Sequence, residues 1–166
     1  DTDLLAEVAD LTTSVGSSGV NFSEANFLTA IYGLENGNAM GPFVSVLHPI
    51  QIDDLRQAIT SSGGQIYSGP ATPAGDIGVA FGSFFGVDLV KSTNCASVNS
   101  AADRQGVMMP MGDNCGLAYV LKVGANTELQ RDASLRATEI VTVAVYGDEC
   151  VNTAANGGVK IVTDHE

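Results

Sequence analysis

The sequence lacks tryptophan and is poor in basic residues: 7 Lys and Arg stand against 19 Asp and Glu, which gives a formal net charge of −12. Nucleic-acid affinity depends largely on Lys and Arg that neutralise phosphates. The charge therefore argues against sequence-specific DNA or RNA binding. It argues against binding to an anionic membrane surface for the same reason.

The sequence also lacks the residue spacings that metal, disulfide and nucleotide sites require. Its three cysteines, Cys95, Cys115 and Cys150, are far apart and form no C-x-x-C pair, and there are only two histidines. Zinc sites and disulfide frameworks are therefore not expected, and the cysteines are predicted to be buried or partly buried free thiols. The patterns G-x-G-x-x-G, G-x-x-x-x-G-K-[ST] and G-x-S-x-G do not occur. No metal, cofactor or nucleophilic-serine site is predicted.

Long apolar runs are absent as well. No segment of about 20 apolar residues is present, and no basic-then-apolar leader opens the chain, so a soluble protein is expected. The length of 166 residues fits one domain or two small interlocked ones. Because the chain begins at Asp1 rather than Met, we expect a processed product or a piece of something longer.

Helical signals dominate the first third of the chain. Apolar residues at helical spacing predict a first helix over 1–15, which Gly16 ends. Ser23 is the expected N-cap of a second helix, and Phe22 is placed to pack against Phe27 as a hydrophobic staple. The predicted buried stripe of this helix is Phe27, Leu28, Ile31 and Leu34. A third helix is expected to begin at Pro49.

Strand signals dominate the rest of the chain. Phe43–Leu47 is predicted to be a central strand, and 87–92 and 107–111 are predicted to be further strands, with a polar loop over 94–103. The Gly-, Pro- and Ala-rich segment 68–86 is expected to form a short helix or a packed loop. Segments 117–130, 138–146 and 159–163 are rich in Val, Ile, Thr and Tyr, and they predict a long antiparallel β meander.

Four charged residues precede the most β-prone run of the sequence, in ELQRDASLRATEIVTVAVYG. They are Arg131, Asp132, Arg136 and Glu139. A catalytic cluster would need a nucleophile and a base nearby, whereas this segment offers only Ser134. Arginine forms bidentate pairs with carboxylates, which suits it to fixing register across strands or subunits. We interpret the four residues as members of ion pairs that fix the register of strands or the contacts between subunits, and we call them latch residues.

His48 is the other candidate for chemistry, because it ends a predicted strand at the start of a helix. The following Pro49 favours a structural interpretation, in which the histidine caps the helix or satisfies neighbouring backbone groups. We prefer that interpretation to a base or a metal ligand. No active site is predicted.

Four segments, in order, resemble major capsid proteins of tailed bacteriophages, the fold named after phage Hong Kong 97. They are GPFVSVLHPIQIDDLR, FGVDLVKS, ELQRDASLRATEIVTVAVYG and GVKIVTD. The resemblance implies an α+β fold with a mixed α/β axial domain and a peripheral domain of a helix and long antiparallel strands. It places the axial domain at 19–115. The peripheral domain, at 1–18 and 116–166, would contain the end of the spine helix. The family's N-terminal arm and extended loop are not present in these residues.

The resemblance also implies a function. The chain would belong to a virion structural protein, not an enzyme, that self-assembles through pentamers and hexamers into an icosahedral shell around double-stranded DNA. It would need no cofactor, lie in the virion capsid after assembly in the host cytoplasm, and contact other virion proteins. An encapsulin-type nanocompartment shell is an alternative with the same fold. A small soluble binding module is the alternative outside the shell class.

Overall fold

The computed structural model describes residues 2–61, 80–100, 102–112, 114–132, 134 and 137–164. The helices of these residues are α1 (Thr2–Ala6), α2 (Glu24–Asn36) and α3 (Pro49–Ser61), and a 3-10 helix (Glu7–Asp10) continues from α1. The strands are β1 (Ser14–Val15), β2 (Phe43–Leu47), β3 (Ala80–Phe84), β4 (Val87–Lys91), β5 (Ala96–Val98), β6 (Asp103–Pro110), β7 (Leu117–Asp132), β8 (Ala137–Cys150) and β9 (Val159–Asp164).

Seven of these strands form one mixed sheet. Its order is β1-β9-β6-β2-β4-β3, and β5 pairs with β6 outside that path. The β1–β9 and β2–β4 pairs are parallel, and the other pairs are antiparallel. The prediction that Phe43–Leu47 is a central strand is confirmed, since β2 lies between β6 and β4. Strands β7 and β8 form a separate two-stranded sheet.

The seven-stranded sheet has a packed core on each face. Successive residues of a strand point to opposite faces, and in β6 the buried Met108 faces the core under α2 and α3 while the buried Val107 faces α1. The first core includes Phe27 and Leu34 of α2. The second contains the α1 and 3-10 residues and reaches the base of β7 at Leu117. The sheet is therefore covered on both sides.

Helix α2 forms as its capping residues predict. The Ser23 hydroxyl accepts a hydrogen bond from the Asn26 backbone N–H at 3.3 Å, and the rings of Phe22 and Phe27 lie 6.2 Å apart in an edge-to-face arrangement. One part of the predicted stripe was wrong. Leu28 is 42% exposed, and Ala30 is buried in its place, because the covered stripe follows the i, i+3, i+7 positions that begin at Phe27.

The first helix is shorter than predicted. It ends at Asp10 instead of residue 15, and Ser14–Val15 pairs in parallel with β9. Backbone hydrogen bonds that link Thr12 to Thr153 and Lys160 to Thr13 hold this stretch extended. Gly16, at φ +92°, permits the close approach to β9, since a Cβ there would lie 2.2 Å from the Val162 carbonyl oxygen. Tertiary pairing outweighs the helical spacing here.

The middle of the chain contains more strand than predicted. Ala80–Phe84 is a strand and not a helix or loop, and it turns into β4 through Phe85 and Gly86, both with positive φ. Residues 68–79 of that prediction lie outside the described residues. The expected polar loop over 94–103 contains β5, and β6 begins at Asp103 instead of residue 107. Pairing with β9 supplies the hydrogen bonds that extend β6.

The predicted three-stranded meander is wrong in its last strand. β7 and β8 pair as expected, but β9 leaves them and enters the large sheet between β1 and β6. Its alternating buried residues, Val159, Ile161 and Thr163, face the first core. β-propensity identifies a strand but not its partner. The division into 19–115 and 1–18 with 116–166 stays a prediction.

Candidate assembly surface

The surface most available for contacts is the hairpin formed by β7 and β8, which we call the ribbon. Residues 119–131 and 138–147 are all exposed. An isolated pair of strands is marginally stable at best in water, because it has no core of its own. We therefore expect a ribbon of this length to be stabilised by a partner that covers it.

Both faces of the ribbon are rich in apolar side chains. Leu129 and Ile140, directly opposite each other, are 71% and 65% exposed. The other large exposed apolar residues of the two strands are Tyr119, Val120, Leu121, Val123, Val141, Val143, Val145 and Tyr146. Large apolar side chains that are exposed together mark an interaction site more often than a free surface.

The register divides the outer half of the ribbon, 126–132 with 137–143, into two faces. Directly paired residues share a face, and the next pair along points the other way. The first face carries the pairs Thr127–Thr142, Leu129–Ile140 and Arg131–Thr138, and the second carries Asn126–Val143, Glu128–Val141 and Gln130–Glu139. The hydroxyls of Thr127 and Thr142 lie 3.1 Å apart, as expected for a same-face pair.

The two strands of the ribbon differ in regularity. The register shifts between Leu121 and Val123 and again between Val123 and Asn126. Five residues of β7 (122–126) thus span the same stretch as three of β8 (143–145), so the extra residues are on β7. Such bulges increase local twist and disturb an edge. β8 is consequently the straighter strand.

The base of the ribbon is fixed to the start of the chain. The Tyr146 hydroxyl donates a hydrogen bond to an Asp3 carboxylate oxygen at 3.0 Å, and the rings of Tyr119 and Tyr146 lie 5.8 Å apart. This hydrogen bond and the nearby Asp3 charge raise the pKa of the Tyr146 hydroxyl. Leu117 is buried against the α1 core. The ribbon thus projects from an anchored base.

Three of the four predicted latch residues, Arg131, Asp132 and Glu139, belong to the last pairs of the ribbon. Arg131 is exposed on the first face, and Glu139 is exposed on the second, opposite Gln130. Asp132 pairs with Ala137 as the last pair of the ladder, and Arg136 lies outside the described residues. Arg131 and Glu139 therefore point away from each other. Their side chains are exposed on opposite faces of the ribbon, where another molecule could reach them. The latch role stays a prediction.

Glu128 was missed in the sequence. It shares the second face with Glu139 as a diagonal neighbour, because Glu128 pairs with Val141, two residues along from Glu139. The alternation of residues in β8 was visible in the sequence, but the partners in β7 were not. The composition of each face depends on the register between the two strands, which the structure gives as an uninterrupted ladder from Asn126–Val143 to Asp132–Ala137.

The residues considered for chemistry have structural roles. The His48 ring nitrogen Nδ1 accepts a hydrogen bond from the Ile50 backbone N–H at 3.3 Å, at the start of α3, which matches the capping interpretation. The prediction of free thiols is confirmed: Cys95 is buried, and Cys115 and Cys150 are half-buried. Burial raises the pKa of the Cys95 thiol to about 11, so it is protonated and weakly nucleophilic at neutral pH.

A cavity beside α1 is mainly apolar. Its volume is about 330 Å³, and it is lined by Leu4, Leu5, Val46, Val90, Lys91, Ser92, Met109 and Leu117. Within the described ranges, no group of three or more His, Cys, Asp or Glu residues is arranged to hold a metal ion. In the same part of the chain, no helix has the length and apolar character needed to cross a membrane.

Comparison with solved structures identifies the fold class. The chain is similar to a structure of Mycobacterium phage Che8 (TM-score 0.64, 23% identity), of which it covers 55%, with 96% of this chain covered. It is similar to the capsid structure of Helicobacter pylori bacteriophage KHP30 (TM-score 0.68, 11% identity), covering 63% of that chain and 99% of this one. No protein-family model matches the sequence, and the search of curated proteins gives no match.

A third similar structure is the SrpI encapsulin complex from Synechococcus elongatus (TM-score 0.64, 14% identity), with 92% of this chain and 52% of that chain covered. These identities are low, so the likeness concerns the fold. The chain has the α+β capsid fold of the Hong Kong 97 type, as its sequence predicted. It spans between half and two thirds of the length of each of these three structures.

Proposed function

We propose that the chain is part of the major capsid protein of a tailed double-stranded DNA bacteriophage, which self-assembles into the icosahedral shell that encloses the genome. The observation that carries this proposal is the fold, which matches phage capsid structures over nearly the whole chain. The exposed apolar ribbon supports it, because a shell subunit requires surface that other subunits cover.

The proposed role is structural and not catalytic. Arg131 and Glu139, two of the charged residues singled out in the sequence, lie at the exposed end of the ribbon, away from the cavity beside α1. The apolar lining of that cavity, with one lysine and one serine, offers no paired acid and base. The chemistry of the chain is instead directed to contacts between subunits.

The proposed partners are copies of the same protein, arranged as pentamers and hexamers, together with other virion proteins. Individually weak contacts become durable when closed symmetry repeats them many times. The net charge of −12 suits a shell that encloses DNA without binding it specifically, because phosphates repel carboxylates. The proposed location is the virion capsid, after assembly in the host cytoplasm, and no membrane partner is proposed.

An encapsulin-type nanocompartment is the second candidate, because the SrpI encapsulin complex shares the fold. Both classes form closed shells, so shell formation alone does not separate them. Their contents do: a phage capsid encloses genomic DNA, and a nanocompartment encloses protein cargo. A small soluble binding module would form no shell.

The test is to purify the complete natural protein and examine it by size-exclusion chromatography and electron microscopy, followed by nuclease-protected DNA and mass-spectrometric analysis of the contents. Closed icosahedral particles that protect double-stranded DNA of genomic length are expected. Particles that contain a protein cargo and no DNA would favour the nanocompartment. A monomer at all concentrations and salt conditions would contradict both.

A further inference from the structure

We infer that the two faces of the ribbon end are complementary to each other, so that the first face of one copy packs on the second face of the next copy. This inference rests on the proposed shell function and specifies how subunits would meet. The contact would be heterologous, joining two different surfaces of the same chain.

Charge supports this pairing of faces. Of the side chains on 126–131 and 138–143, which the structure describes, the first face carries one charge, the guanidinium of Arg131, and the second carries the carboxylates of Glu128 and Glu139. Like charges on neighbouring positions of one face are mutually destabilising. A cation supplied by another molecule would relieve this repulsion.

The positions of the charges along the ribbon also fit. The Arg131–Thr138 pair is next to the Gln130–Glu139 pair, a separation of about 3.4 Å along the strands. Packed sheets lie about 10 Å apart, a gap that an arginine and a glutamate side chain can bridge together. Two ribbons stacked in the same direction, with a sideways offset of one strand (about 4.8 Å), would therefore bring Arg131 of one copy close to Glu139 of the next.

The apolar side chains are matched in the same arrangement. Leu129 and Ile140 form a pair on the first face, and Val141 and Val143 lie on the second face within three residues of Ile140 along β8. The same sideways offset would bring Leu129 of one copy close to Val141 of the next, because the Leu129–Ile140 pair is next to the Glu128–Val141 pair. Leu129 is 71% exposed in the isolated subunit, so covering it removes apolar surface from water.

A two-fold contact of one face with itself fits less well. If the second faces met, Glu128 and Glu139 of two copies would be brought together, and if the first faces met, two Arg131 side chains would approach each other. Charge of the same sign across an interface costs free energy and rejects that partner. The charge distribution thus favours a heterologous contact, which forms rings where the rotation between copies closes.

The contact area is small, which is consistent with a shell contact and not with a stable dimer. A ribbon end of seven residue pairs offers on the order of 200–300 Å² per face, well below the roughly 800 Å² per partner of a typical stable complex. The contact would be measurable through assembly, where it is repeated, and not through dimerisation of free subunits.

The test uses charge reversal in the complete protein, with particle yield measured by electron microscopy and size-exclusion chromatography. Arg131→Glu alone, and Glu128→Lys with Glu139→Lys, should each lower the yield by about tenfold or more. The triple variant restores opposite charges on the two faces and should return the yield to within about threefold of the unmodified protein. Arg131→Lys is the matched control, and it should assemble normally.

Several outcomes would overturn the inference. They are normal yield from Arg131→Glu, a triple variant no better than its parents, or normal particles that have lost only an accessory virion protein. Unfolding of the charge variants, checked by circular dichroism, would also contradict it, because these side chains are exposed. If the unmodified protein forms no particles, the proposed function fails as well. If it forms particles but the charge-reversal variants do not change the particle yield as expected, only this inference fails and the proposed function stands.

Discussion

Gln51 and Gly106 lie against each other in the first core of the sheet: a Cβ atom on Gly106 would be 2.8 Å from the Gln51 side-chain oxygen Oε1. That oxygen accepts a hydrogen bond from the His48 backbone N–H at 3.1 Å. The Gln51 amide nitrogen donates to the Arg104 carbonyl at 3.1 Å and to the Thr163 hydroxyl at 2.8 Å. One fully buried side chain thus connects α3 to β6 and β9.

Gly106→Ala is expected to destabilise the fold. The added methyl would also lie 2.9 Å from the Val46 carbonyl oxygen, so backbone as well as side chain would have to move. Overpacking of this kind lowers the free energy of unfolding by about 1–3 kcal/mol. Urea unfolding followed by circular dichroism would measure the change.

Gly124→Ala provides the control for that experiment. No atom lies within 4 Å of a Cβ built on Gly124, and this glycine does not have positive φ. Its substitution should change the free energy of unfolding by less than about 0.5 kcal/mol. Equal effects of the two substitutions would contradict the packing described for Gly106.

Asp103 makes the stability of the fold depend on pH. Hydrogen bonds from the Asn99 and Ser18 side chains lower the pKa of the Asp103 carboxyl, and the Gly19 N–H contributes at 3.4 Å. A lowered folded-state pKa means that this stabilisation is complete above the unfolded pKa, near 3.8, and is lost as pH falls through the folded pKa. Asp103→Asn should therefore flatten the acid side of the stability curve, measured by urea unfolding from pH 6 to pH 2.

Asn99→Gly removes a hydrogen-bond donor of the Asp103 carboxylate and so tests the origin of the lowered Asp103 pKa. Asn99 has a φ of +51°, so glycine preserves the backbone conformation while it removes the amide donor. The variant should lose part of the stability at neutral pH and show a weaker pH dependence than the unmodified protein. An unchanged pH profile in both variants would show that Asp103 is not responsible for it.

Local signals in the sequence predicted much of the fold. Ser23, Phe22 and Pro49 marked helix starts correctly, because capping and stapling depend on residues a few positions apart. The long β-prone runs of β7 and β8 were also recognised. These features require only short-range information, which a single sequence contains.

The errors concern partners distant in sequence. Residues 11–15 were predicted to be helical, but Ser14 and Val15 pair with Lys160 and Ile161. β9 was assigned to the meander, yet it pairs with β6. For the candidate surface, Arg131 and Glu139 were found but their opposite directions were not, because these depend on the register of β7 against β8, in which Arg131 pairs with Thr138.

Removal of the outer ribbon is expected to abolish assembly without unfolding the subunit. Residues 119–131 and 138–147 are exposed, so replacing 125–143 by an Asn-Gly turn removes none of the core residues identified among the described positions. The free energy of unfolding should change by less than about 1 kcal/mol, and particle yield should fall below detection. Calorimetry and electron microscopy would measure the two effects.

Retained particle formation by that shortened protein would show that the ribbon end is dispensable, and it would remove the latch role as well. Loss of folding would instead show that the ribbon supports the core.

A milder variant, Leu129→Ser with Ile140→Ser, keeps the ribbon length and removes only the exposed apolar pair. It should reduce assembly and leave unfolding nearly unchanged.

Arg131→Ala and Arg136→Ala test the latch prediction directly. Arg131 is exposed, so its removal should cost the isolated subunit no more than about 1 kcal/mol of stability. A buried arginine–carboxylate pair in an assembled contact is worth more than an exposed pair, because truncation leaves the partner charge desolvated. Each substitution should therefore reduce particle yield several-fold while subunit solubility and circular dichroism stay unchanged. Normal yield from both variants would refute the latch role, whereas a loss confined to one would identify the arginine that is covered in the shell.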